Sequence, residues 1–161
     1  MDAANDLRVK ERNADYLYES FQRAYGRRDF AEACNYLWKA NLTIISALGA
    51  MDGMDVRDIA GAKAFLYRFL KRGDISNPEI SSLEVIYANR ARSSGDEPML
   101  TLHIERCEKL LRKLKVLLKD YILNGPMNNF GSPGNTGNES SAEGGNAATE
   151  PEDGQGFAFP Q

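Results

Sequence analysis

From Leu100 to Tyr121 the residues Leu100, His103, Ile104, Cys107, Leu110, Leu111, Leu114, Leu117, Leu118 and Tyr121 recur at intervals of three and four. The register holds for about three heptads, which predicts a long helix with one face that must be covered along its whole length. A chain that carries such a helix has to supply partner helices. Asp96 and Pro98 suit its start, and Asn124-Gly125-Pro126 its stop.

The rest of the sequence before that stop has the same period. A first helix is expected over 5–25, with Leu7, Tyr16, Leu17, Phe21 and Ala24 toward one face. A second is expected to open at the N-cap Asp29 and to end at Gly49, with Phe30, Ala33, Cys34, Leu37, Trp38, Ile44, Ile45 and Leu48 on its apolar side. Asn41 stands on that side as well, and a buried amide must find partners; His103 and a symmetry mate across a dimer interface are the candidates. A third helix, capped by Asp55, should bury Ile59, Ala62, Leu66, Phe69 and Leu70 and stop at Gly73. A fourth, capped by Asn77 with Pro78 in its first turn, carries Ile80, Leu83, Ile86 and Tyr87. No stretch of four residues alternates as a strand, and no repeat of fixed period occurs. Residues 1–125 therefore read as an all-α domain, an antiparallel bundle of about five helices.

At Pro126 the composition changes. Residues 126–161 are dense in Gly, Asn, Ser and Pro and cannot bury enough surface to offset their ordering entropy, so a disordered tail is expected. All twenty Lys and Arg precede Gly125 with eighteen of the twenty-three acids, leaving the tail with acids alone. No apolar run is long enough for a membrane span, and a soluble, cytoplasmic chain with no membrane contact is expected.

Candidate chemistry is sparse. The single histidine, His103, lies on a core stripe, where hydrogen bonding inside the bundle is its ordinary role. Cys34 and Cys107 fall at apolar helix positions and read as buried thiols, with a disulfide geometrically open if their helices face. Two distant thiols and one imidazole lack metal-ligand spacing, and no Gly-rich loop ends in Lys-Ser/Thr, so neither metal nor cofactor is expected. The basic residues say more. Arg106, Lys109, Arg112, Lys113, Lys115 and Lys119 surround the stripe of the last helix, Arg90 and Arg92 end the fourth, and Arg23, Arg27 and Arg28 sit at the first turn. They read either as solvated faces with local ion pairs or, if they converge, as a footprint for a polyanion.

The segment "GRRDFAEACNYLWKANLTIISALG" resembles the HEPN superfamily (higher eukaryotes and prokaryotes nucleotide-binding), particularly its archaeal PaREP-type branch. The resemblance is carried by Gly26, Asp29, Ala33, Trp38, Lys39, Ala40, Ile45, Ala47 and Leu48 and covers residues 5–123. It implies a bundle of four or five helices, a homodimer, and a role in RNA cleavage, nucleotide binding or toxin–antitoxin partnership. Catalytic members of that superfamily set an Arg and a His four to six residues apart near the start of a late helix. Here ten residues separate Arg92 from His103, so the ribonuclease role is not carried over. What remains is a non-catalytic module for RNA or single-stranded DNA, with Asn89, Arg90 and Arg92 as a remnant of a ligand-facing patch and Arg106, Lys109, Arg112 and Lys113 beside it.

The same helical pair also reads like one unit of a tetratricopeptide repeat or of a microtubule-interacting and trafficking domain, which would make the chain a protein adaptor. The tail end "GFAFPQ", with Phe157, Phe159 and Pro160, is similar in style to the aromatic-tipped acidic tails of bacterial single-stranded DNA-binding proteins. On that likeness it would dock on a partner protein.

Overall fold

Five helices make up the described residues, 3–92 and 97–125, of the computed structural model: α1 Ala3–Gly26, α2 Phe30–Met51, α3 Ile59–Arg72, α4 Asn77–Ala88 and α5 Glu97–Asn124. No strand occurs among these residues, and the fold is an all-α bundle. Contacts divide the chain after Asn124, and the five helices belong to the first unit. The tail with Phe157, Phe159 and Pro160, like Asp96, lies outside the described residues.

The helix starts follow from side chains that take up free N–H groups. Asp29 accepts from the Glu32 N–H at 3.2 Å. The cap of α3 is Asp58, which accepts from the Gly61 N–H at 2.8 Å, and not the expected Asp55. Between them Val56 is buried and its carbonyl accepts from Ser46 Oγ at 2.8 Å, so the chain is pinned as a loop until Asp58. Ser76, not Asn77, caps α4: its N–H donates to Glu79 Oε1 at 3.0 Å, the reciprocal arrangement that a Glu three residues on allows.

Gly49 does not end α2, which runs on to Met51. The 53–56 segment folds back over it, and a Cβ there would stand 2.9 Å from Val56 Cγ2. The glycine permits a close approach rather than a stop. Gly73, at φ 84°, does end α3 as expected.

α2 packs against each of the other four helices. Its buried residues, among them Leu37, Ile44, Ile45 and Leu48, face Phe21 of α1, Phe65 and Phe69 of α3, Leu83 and Ile86 of α4 and the Ile104–Leu118 stripe of α5. Each large aliphatic side chain buried in this way contributes roughly 1.5–3 kcal/mol. Tyr16, expected on the core face, is 65 % exposed; the inward series of α1 is Leu7, Ala14 and Phe21, from which residue 16 is turned away.

Directions follow from pairs along the helices. Tyr18 meets Glu108 and Asp15 meets Lys115, so α1 and α5 are antiparallel; Ser82 with His103 and Glu79 with Lys113 make α4 and α5 antiparallel too. α2 and α5 instead run parallel, tied by Arg28–Glu97 at one end, Asn41–Cys107 midway and Asp52–Tyr121 at the other. The Asp52 side chain, 1 % exposed, accepts from the Tyr121 hydroxyl at 3.0 Å and lies 3.4 Å from Arg68, so it joins the ends of α2, α5 and α3.

Cys34 and Cys107 are buried free thiols. Burial pushes Cys34 up to about 12, and burial, with Cys34 nearby, pushes Cys107 well above the ordinary thiol range.

Candidate functional site

The end of α4 holds three residues of the expected patch. Asn89 caps the helix, and its Nδ2 donates to the Val85 carbonyl at 2.8 Å. The Arg90 guanidinium lies over the Tyr87 ring, 3.9 Å from its centroid, and donates to the Tyr87 carbonyl at 3.1 Å. That ring in turn stands edge-on to Trp38 at 4.9 Å. Arg90 thus closes an aromatic stack, and of the three only Arg92 is fully exposed. The cluster at the first turn is largely neutralised: Arg27 pairs with Glu32, and Arg28 with Glu97.

On α5 the cations separate by what lies beside them. Lys113 turns to α4, where both oxygens of Glu79 accept from its Nζ at 2.9 Å. Burial would raise the Glu79 carboxyl, but the hydrogen bonds from Lys113 and Ser76 outweigh it and leave the group below its usual value. Lys115 turns to α1 and pairs with Asp15. Arg106 is half-buried beside His103. Lys109, Arg112 and Lys119 are exposed and have no carboxylate partner among the described residues.

With about 100° per residue, Lys109, Arg112, Val116 and Lys119 share an arc of about 80° on the outer side of α5. Glu105 stands in the same arc one turn before Lys109, and Asp120 follows Lys119. The expected merger with Arg90 does not occur. Glu79, which holds Lys113, and Arg90 lie eleven residues apart, about 16 Å along α4 and its extension.

Sequence reasoning singled out Lys113 and left Lys119 off its list of candidate site residues. The signal for the first was available, since Glu79 completes the Ser76 capping box and so fixes a carboxylate at that end of α4. The signal for Lys119 was weaker, because nothing local tells a free lysine from a paired one.

His103 does not bond Asn41. Its Nδ1 lies 2.9 Å from Ser82 Oγ, and burial followed by the charge of Arg106 lowers its pKa. Ser82 is fully buried, so this pair has no exposed nucleophile to offer. Asn41, also fully buried, donates to the carbonyls of Leu37 at 3.0 Å and Cys107 at 3.4 Å, while its Oδ1 has no partner. A cavity of about 330 Å³ between the start of α1 and the end of α2 is lined by Leu7, Val9, Ala47, Ala50 and Met51 with Asp6 and Lys10, a lining with one cation and mostly apolar. No group of three His, Cys, Asp or Glu side chains converges among the described residues, and no helix there is long and apolar enough to cross a membrane. A scan against protein-family models finds no match to this chain, and neither does a search of curated proteins.

Proposed function

We propose that the chain is a non-catalytic helical module, of the HEPN kind its sequence resembles, that binds nucleic acid through the outer face of α5. The observation that carries this reading is the row Lys109, Arg112 and Lys119, exposed on one arc and unpaired. Cations without carboxylate partners keep their full charge for a phosphate backbone, and each contact made releases a condensed counterion. Nucleic acid is favoured over a free nucleotide because the row is convex and extended, whereas nucleotide pockets are concave. A non-catalytic role is favoured because His103 is held by a buried serine and lies ten residues from Arg92.

The test is a titration of the full chain with duplex and single-stranded RNA and DNA at about 50 and 200 mM salt. Binding that weakens steeply with salt, and that Lys109→Glu reduces by about tenfold, is the expected result. Failure to bind any of the four ligands at the lower salt would rule the reading out.

A further inference from the structure

We infer that the nucleic acid taken by this face is a duplex, held across a groove by its two phosphate ridges without reading of the bases; this rests on the function proposed above. At about 1.5 Å per residue, Lys109 and Arg112 are about 4.5 Å apart along α5, and Lys119 lies about 10.5 Å beyond Arg112. Seven residues fall about 20° short of two full turns, so Arg112 and Lys119 point almost the same way. Their separation is close to the ~12 Å width of a major groove, and two long flexible side chains cover the difference. Lys109 and Arg112 meet one ridge, and Lys119 meets the other.

Between these cations the exposed residue is Val116, 67 % accessible. An isopropyl group has neither donor nor acceptor for a base edge, so the middle of the face fits over a groove without reading it.

A single strand presents one line of phosphates, and proteins that prefer it add aromatic platforms on which bases stack. The outer face of α5 has none. Tyr121 is buried, and Tyr18, beside Arg112, is tied through its hydroxyl to Glu108 at 2.6 Å. Tyr16 is exposed, but Asp15 and Tyr18 are the α1 residues that meet α5, and residue 16 is turned about 100° from the first of them. Tyr87 is covered by Arg90.

The experiment measures binding of the full chain to short RNA and DNA duplexes of two unrelated sequences and to each of their separated strands. Either duplex should bind about tenfold tighter than its own strands, with less than about threefold between sequences. The slope of log affinity against log salt for duplex DNA should be about −2.7, three contacts at about 0.9 each. Lys119→Glu, with helicity checked by circular dichroism, should bring duplex affinity down to that of the strands and leave the strands little changed. Lys109→Glu should weaken both. Strands bound as tightly as duplexes, a preference above about tenfold for one duplex sequence, or equal losses in both ligands from Lys119→Glu would overturn the inference. A preference for single strands would leave the proposed function standing, whereas no binding at all would remove both.

Discussion

At the level of single residues, His103 gives a pH dependence whose sign can be worked out. Burial and Arg106 hold its folded pKa below the ordinary 6.5, so the unfolded chain binds the proton more readily than the native one. Above pH 6.5 both states are neutral at this position and its contribution to stability is complete. As pH falls below 6.5 the unfolded state is protonated first, and stability is lost until the lower folded pKa is passed. His103→Gln should therefore flatten the fall in the urea midpoint between about pH 7 and pH 5. An unchanged fall in the variant would show that other groups produce it. The polar core residues also mark what a sequence conveys at this scale. Asn41 was legible as a buried amide from its place in the stripe. Its partners were not, because carbonyls of Leu37 and Cys107 leave no mark in side-chain pattern, whereas His103 was a visible candidate and is occupied by Ser82.

Among the helices, α5 has two faces of unequal legibility. Its core stripe follows from period alone, and eight of the ten stripe positions are buried. Which outer cations remain free depends on the carboxylates that neighbouring helices bring, so Lys113 and Lys115 became paired while Lys109, Arg112 and Lys119 did not. Helix starts were legible to within one cap: Asp29 was right, but Asp58 and Ser76 displaced Asp55 and Asn77 because each has the better-placed partner in its own first turn. Glu79 connects both themes, since it accepts from the Ser76 N–H and from Lys113. Glu79→Ala should lower stability by about 1–2 kcal/mol through loss of the cap and its ion pair. It should also free Lys113 to reach phosphate, tightening duplex DNA binding and steepening the salt slope by about 0.9. Denaturation and binding measured on the same variant check the opposite signs. A variant that loses both stability and affinity would show that Lys113 works only within the fold.

For the whole molecule, the parallel pairing of α2 and α5 was beyond sequence reasoning, which favours antiparallel arrangement for neighbours joined by short loops. These two helices are separated by α3 and α4, so no loop length constrains their direction. The pairing sets the outer face of α5 opposite its contact with α2, fixed by core packing rather than by a flexible loop. A ligand on that face binds the native state and stabilises it by RT ln(1 + [L]/Kd), a quantity that must carry the salt dependence of the binding itself. Duplex DNA at a hundred times its Kd in about 50 mM salt should add about 2.7 kcal/mol. With three phosphate contacts the affinity falls about 40-fold by 200 mM, and the same duplex concentration should then add only about 0.7 kcal/mol. Trp38, the single tryptophan and 5 % exposed, reports unfolding by its fluorescence, and each measurement is referred to the free protein at the same salt. Equal stabilisation at the two salt concentrations would mean that the duplex is held by contacts other than the cations of α5.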